Sequence, residues 1–294
     1  MIQDEVITDI LMRAEKKYGK AVLIRSGDMP VLPRHATGLP ELDAIIGGGL
    51  VRGRVYEFFG PESSGKSSIT LHIMAQFPQA LMIDAEHTYT ESFGAVFGNK
   101  EKNVFHMRPE YGEDAFDVMM EFAANKIPLI VVDSVPALSP KKSAERSATD
   151  SDTQAVLAQM MGRQLRRLVP TIAKSGTMVI FINQVRDTFN PFGNPFTTPG
   201  GHALKHAASL RLQFAVKERL KDDKIGDFGI ISKVQVVKSK IAEPRGVVEL
   251  PLIFSRGFVP HEKIELVQNE LRIAAGGRAK RPSAKKTPEL EETA

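Results

Sequence analysis

The octapeptide Gly60-Pro61-Glu62-Ser63-Ser64-Gly65-Lys66-Ser67 constrains this chain more than any other feature. It fits GxxxxGK[ST]. The apolar run 55–59 precedes it as a strand, and residues 66–76, from Lys66 through Ser68 onward, read as the helix that follows. A loop between a strand and a helix can curl on its glycines until successive N–H groups face phosphate oxygens. The helix N-terminus then adds its positive dipole end. In that geometry Lys66 supplies a point charge to β- and γ-phosphates, and the Ser67 hydroxyl supplies a ligand for Mg²⁺. A chance glycine-rich turn has no reason to place a Lys-Ser pair at a strand–helix junction.

Such a loop needs a parallel sheet behind it, and the rest of the chain supplies one. Residues 80–83, 104–107, 129–132 and 178–182 read as strands, with helices predicted over 113–124 and 154–173. This alternation predicts an α/β core with a mostly parallel central sheet covered on both faces. Residues 209–216, 230–237 and 247–253 read as further strands, and the charge-dense stretch 217–227 reads as a solvated turn. Residues 185–201 are rich in Pro, Gly, Asn and Thr without a period, which marks a long functional loop.

Residues 3–18 place Ile7, Ile10, Leu11 and Ala14 at helical spacing, and 21–25 read as a short strand. Residues 1–33 are therefore expected to form a helical arm that packs on its own domain or on a neighbouring subunit. Residues 34–275 form the core, and 276–294, basic and then acidic with few apolar residues, form a disordered tail.

Two acids complete the expected site. The strand 129–132 runs into Asp133, which places a carboxylate at the sheet's C-terminal edge beside the phosphate loop, as a partner for Mg²⁺. Asp84-Ala85-Glu86-His87 follows another strand at the same edge. Glu86 is the candidate to orient or deprotonate an attacking water, and His87 reads as structural. His202 and His206 lie four apart without the carboxylate of HExxH, so they read as ordinary helix-face residues.

Composition excludes other chemistries. With no cysteine, there are no disulfides, Cys-ligated zinc, iron–sulfur clusters or thiol catalysis. No apolar run approaches the ~18 residues of a membrane helix. The acidic start lacks a basic region and does not read as a signal peptide, so the expected location is cytoplasmic. A formal charge of +4 is compatible with a polyanionic partner but does not demonstrate one.

Taken together, these residues resemble the bacterial RecA recombinase family over about 37–258. Motifs follow in family order: Thr37-Gly38, Leu42-Asp43, Gly47-Gly48-Gly49-Leu50 and Gly53-Arg54-Val55, then the phosphate loop, Asp84–His87 and the Asp133 strand. After these come Phe181-Ile182-Asn183-Gln184-Val185-Arg186, Phe192-Gly193-Asn194-Pro195, Thr197-Thr198, Gly200-Gly201 and Val237-Lys238-Ser239-Lys240. The Gly-Asn-Pro…Gly-Gly loop discriminates this family from other phosphate-loop ATPases.

The resemblance implies an ATP- and Mg²⁺-using, DNA-dependent ATPase. Such a protein assembles into a helical filament on single-stranded DNA, pairs it with homologous duplex and exchanges strands in recombination and repair, with no membrane involved. It implies that Glu86 is the catalytic glutamate, that Gln184 senses the γ-phosphate, and that Phe93 stacks on adenine. Lys238 and Lys240 would reach the nucleotide of a neighbouring subunit. Residues 143–153 would be the first DNA loop, with Arg166 behind it on a helix. Residues 185–201 would be the second, with Arg186, Phe192, Gly193, Asn194, Thr197, Thr198, Gly200 and Gly201. Arg211 and Lys233 remain from a basic strand pair for the incoming duplex.

Departures stand beside the matches. The first loop is unlike the family's, and His202 and His206 replace an Asn and an aromatic. Ala215, Val216 and Gln235 replace basic residues, so the duplex site is expected to be either weaker or moved toward Lys217, Arg219, Lys221 and Lys224. The family's folded C-terminal domain is expected to be absent, a divergence that suggests a phage or mobile-element source. Two other readings use the same fold: a hexameric helicase or repair accessory ATPase, and a non-catalytic filament regulator. Intact Lys66, Asp133 and Glu86 disfavour the regulator.

Overall fold

The computed structural model describes residues 4–19, 31–144, 150–187, 196–243 and 246–276, in two units, 1–33 and 34–294. In the first unit α1 (Asp4–Tyr18) carries acids in its first turn and Lys16 and Lys17 in its last, matching the helix dipole. The expected strand 21–25 and the tail 277–294 lie outside the described residues.

The second unit begins with β1 (Arg34–His35), α2 (Pro40–Ile45) and β2 (Leu50–Val51). The nucleotide half follows: β3 (Val55–Gly60), α3 (Lys66–Met74), β4 (Ala80–Asp84), α4 (Glu91–Val96), β5 (Val104–Met107), α5 (Gly112–Ala124) and β6 (Leu129–Asp133). Next come α6 (Lys141–Ala144), α7 (Asp150–Ser175), β7 (Met178–Gln184), β8 (Arg186–Asp187), β9 (Phe196–Thr197) and α8 (Gly201–Ala207). The chain closes with β10 (Leu210–Asp222), β11 (Gly226–Ser239), β12 (Val247–Ile253), β13 (Gly257–Phe258) and α9 (Ile264–Ala274).

The main sheet has the order β13-β12-β11-β10-β3-β7-β6-β4-β5. The run from β10 to β5 is parallel, and β10 to β13 pair antiparallel. Strands β3, β4 and β6 are buried along their whole length, so they read as continuous apolar runs rather than alternating ones. On one face α3 packs Ile69, Ile73 and Met74 against Tyr56, Phe58 and Ile180. On the other, α5 and α7 bring Phe116, Met161 and Leu168 onto Val132, Val179 and Phe181. Each such side chain contributes about 1.5–3 kcal/mol on burial. Among the described residues no helix is long and apolar enough to cross a membrane.

The stretch 217–227 is not a turn. β10 runs to Asp222 and β11 starts at Gly226, paired across a long hairpin. Its charges line the exposed side, while Leu220 and Phe228 turn inward to a small core with Ile253 and Val267 of α9. Buried Asp222 accepts from Gln268 Nε2 at 2.7 Å and Arg272 Nη1 at 2.6 Å, which fastens α9 to the hairpin. Lys217 pairs with Glu249, and Lys221 with Asp227.

A buried polar knot joins the central strands. Glu57 on β3, fully buried, meets Arg211 Nε of β10 at 2.5 Å and accepts from Asn183 Nδ2 of β7 at 2.9 Å. Arg211, whose side chain is 13% exposed, also lies 4.5 Å over the Phe59 ring. Glu57 thus turns inward a residue that the resemblance placed against DNA. Arg211→Ala would leave Glu57 charged, buried and unpaired, a loss of about 3–5 kcal/mol. A thermal or urea melt should show a large drop in stability, and an unchanged midpoint would contradict the assignment.

Candidate functional site

The phosphate loop grows out of β3 at the centre of the sheet. Gly60 is obligatory there, because a Cβ would sit 2.3 Å from the Phe214 carbonyl oxygen. Gly65 takes φ +93° as the N-cap of α3, a conformation that L side chains resist. Ser64 Oγ donates to Pro61 O at 2.7 Å, and Ser232 Oγ donates to Ser64 O at 2.7 Å, so β11 braces the loop from outside. Lys66 Nζ donates to Pro61 O at 2.6 Å, folded over the loop that it would serve.

Ser67 Oγ donates to Asp133 Oδ2 at 2.7 Å, which brings the two expected Mg²⁺ ligands together. Burial pushes the Asp133 carboxyl up to about 6, against the Ser67 hydrogen bond and with Glu86 adding to the rise. Burial likewise lowers the Lys66 ammonium, opposed by Asp133 and Glu86. A hydroxyl and a carboxylate side by side form a hard oxygen donor set, and that set fits Mg²⁺ with a polyphosphate on the loop.

A cleft of about 240 Å³ continues from Lys66 and Ser67 past Leu71 and Met82 to Tyr89 and Phe93. Phe93, on the exposed side of α4, packs edge-on against Phe97, and its N–H is capped by Thr90 Oγ1 at 3.2 Å. Tyr89, which sequence reasoning missed as a pocket residue, lies tilted by 38° against His106 with centroids 4.2 Å apart.

Glu86 sits on the turn after β4. Buried Asp84 shapes that turn, accepting from Thr88 N at 3.0 Å, Tyr89 N at 3.3 Å and Arg108 Nε at 3.3 Å. The N–H groups of Ala85 and Glu86 donate to Asp133 O at 2.8 and 3.3 Å. Gln184 Nε2 reaches Glu86 Oε1 at 3.2 Å, and the Ser134 hydroxyl donates to the same oxygen. Glu86, Gln184, Ser67 and Asp133 therefore share one sheet edge. Ser134 and Asp84 stood in the sequence motifs without a role.

The residues expected to meet DNA are dispersed. Arg186, exposed on β8, pairs in register with Thr197 on β9, so the second loop leaves and returns through a short ladder. Lys205 Nζ donates to Thr197 Oγ1 at 3.0 Å, Thr198 is buried, and Gly200 at φ +87° caps α8 just before Gly201. Phe192, Gly193 and Asn194 lie outside the described residues, as do 145–149 of the first loop. Arg166 is exposed on α7 with Nε donating to Gly162 O, and Lys233 is exposed on β11. His202 and His206 are ring neighbours at 6.1 Å on α8, and no metal-holding cluster occurs among the described residues.

Lys238 and Lys240 sit at the opposite end of the sheet. Lys240 N donates to Ser209 O, and Ser209 N donates to Val55 O, level with the start of β3. Their ammonium groups meet at the C-terminus of α8: Lys238 donates to Lys205 O at 2.5 Å, and Lys240 donates to His206 O at 2.9 Å. The loop begins at the far end of β3, at ~3.3 Å per residue roughly 16 Å along the strands from the level of Lys240 and about 10 Å from that of Lys238, which pairs with Arg211 beside Glu57 two strands away. Neither lysine can serve its own subunit's loop.

Lys66→Ala removes the loop's fixed cation. Binding of ATP, followed by calorimetry, should be lost while the melting temperature is kept; undiminished binding would contradict the phosphate assignment.

Comparison with known proteins places the chain. The RecA N-terminal domain model matches residues 5–259. The protein named RecA from Arthrospira platensis is 36% identical over 263 residues, covering 87% of this chain and 72% of its own. The RecA protein of Campylobacter hominis is 38% identical over 265 residues, covering 86% and 75%. A match of this extent, on a sheet with the phosphate loop at its centre, makes the chain a member of the RecA family.

Proposed function

We propose that the chain is an ATP-dependent recombinase: it assembles on single-stranded DNA, hydrolyses ATP there, and pairs the strand with homologous duplex in recombination and repair. One observation carries the coupling of the two activities. Gln184, which bonds Glu86 at the phosphate edge, is followed two residues later by Arg186, the first rung of the second loop's ladder. A strand held in that loop pulls on the chain that positions Gln184.

The geometry and the family resemblance together support these roles. Mg²⁺, held by Ser67 with Asp133, would neutralise charge on the β- and γ-phosphate oxygens. The N–H groups of the loop and Lys66 hold the triphosphate, and Phe93 offers its face to the base. Glu86 takes the proton of the attacking water as general base. Arg186, with the phenylalanines and glycines of the second loop, suits backbone contact and base stacking on a single strand.

Self-assembly is built into the reading, because Lys238 and Lys240 face away from their own loop. Burial, and then the Lys240 charge, lower the Lys238 ammonium, a surplus of positive charge that an anion relieves. A neighbour's γ-phosphate is such an anion, and the lysines would then act in trans as an arginine finger does. For the duplex site, Lys233 is exposed on β11, whereas Arg211 is held inward by Glu57. Lys217 is paired with Glu249 and Lys221 with Asp227, and Glu218 and Asp223 flank Arg219 and Lys224 in the sequence, which disfavours that relocation.

Mixing tests the shared site. Lys66→Ala subunits offer both lysines, and subunits with Lys238→Ala and Lys240→Ala offer an intact loop. Each preparation alone should be nearly inactive in ATP hydrolysis on single-stranded DNA, and co-assembled mixtures should regain part of it. No recovery in filaments shown to contain both would contradict the shared site.

A further inference from the structure

We infer that Ser134 is a positioning residue for ATP hydrolysis: its hydroxyl holds the Glu86 carboxylate in place while Gln184 leaves to meet the nucleotide. The inference rests on the reading of Glu86 as general base.

The geometry is specific. Two donors converge on one oxygen of Glu86, Oε1: the Ser134 hydroxyl and Gln184 Nε2. Gathering both on Oε1 leaves Oε2 as the oxygen to receive a proton from water. The two donors differ in what holds them. Ser134 is 1% exposed and follows directly on buried Asp133 at the end of β6. The backbone carbonyl of Asp133 is already bonded by the N–H groups of Ala85 and Glu86. Main chain and side chain thus fix Ser134 and Glu86 to each other across two strands. Gln184 is half-buried at the last position of β7, where the chain leaves the sheet for the second loop.

One donor is therefore anchored and the other is free to change partner. A long side chain on an exposed turn loses considerable rotamer freedom when it is held in one place. Without Ser134, Glu86 would lose its last donor at the moment Gln184 turned to a phosphate, and the base would be free to swing away from the water. With Ser134, the carboxylate stays oriented in both states. A hydrogen bond to an ionised group is also stronger than one between neutral groups, so a single hydroxyl suffices for the task.

The test is a cycle of Ser134→Ala and Glu86→Gln in the full chain, with steady-state ATP hydrolysis on single-stranded DNA and a thermal melt of each variant. Glu86→Gln should lower kcat by about 10²–10⁴, the range for a lost general base. Ser134→Ala should lower kcat about tenfold, the effect of one lost charge-assisted bond, with KM for ATP, DNA affinity and melting temperature kept. In the Glu86→Gln background the serine change should cost little, because the group it positions is gone. Wild-type kcat in Ser134→Ala, alongside an inactive Glu86→Gln, would overturn the role of Ser134 alone. An undiminished serine effect in the Glu86→Gln background would overturn it too, since the hydroxyl would then act elsewhere. Wild-type turnover in Glu86→Gln would overturn the general-base reading, and this inference with it.

Discussion

Two consecutive residues at the end of one buried strand hold the phosphate edge together. Asp133 bonds the Ser67 hydroxyl through its carboxylate and the Ala85 and Glu86 N–H groups through its backbone carbonyl, and Ser134 adds its hydroxyl to Glu86. The first turn of α3, the turn after β4 and the end of β6 are thereby locked to one another. A parallel sheet makes this possible, because its strands all deliver their C-terminal ends, with their polar residues, to the same edge. The cost is a carboxyl pushed up to about 6 by burial, which is the kind of perturbation expected where chemistry is done.

A second polar knot connects that edge to the loop beyond it. Asn183 donates from one amide nitrogen to Glu57 at 2.9 Å and to Pro199 O at 3.0 Å, and its oxygen accepts from Gln184 N at 3.0 Å. The start of the second loop and its return are thus tied to the same buried residue, one position before the glutamine that touches Glu86. Glu57 and Arg211 extend the tie across β3 to β10. In physical terms this is a short, rigid connection between the loop proposed to hold DNA and the carboxylate proposed as the base. The lysines at the far end of β11 fit the proposed self-assembly, since they lie well away from the phosphate loop of their own subunit.

Much of this was legible in the sequence. The phosphate loop, the Asp133 strand and the Asp84–Glu86 turn announce themselves because their residue types follow from chemistry at a fixed place in a βαβ unit. The alternation of apolar strands and amphipathic helices fixed the sheet's parallel half. The outer part of the β10–β11 hairpin, residues 217–229, was hidden, because its charges suggested a solvated turn while the buried residues that make it a strand pair, Leu220, Asp222 and Phe228, are widely spaced. The inward pairing of Arg211 is not legible for a related reason: its partner Glu57 lies 154 residues away, and nothing local marks a cation as internal. Ser134 was overlooked because a serine after a strand-end acid is unremarkable until the carboxylate it bonds is seen. Lys238 and Lys240 are two apart, a spacing that on a strand puts both on one face. Only the strand order revealed that this face lies at the wrong end of the sheet for their own loop.

The central claim is that DNA in the second loop and hydrolysis at Glu86 are one event, joined through Asn183 and Gln184. ATP turnover by the unmodified chain, with and without single-stranded DNA, tests this most directly. Turnover that is slow alone and rises many-fold on DNA, saturating with the DNA bound, is the result the account predicts. Equal turnover in the two conditions, with DNA shown to be bound, would contradict it.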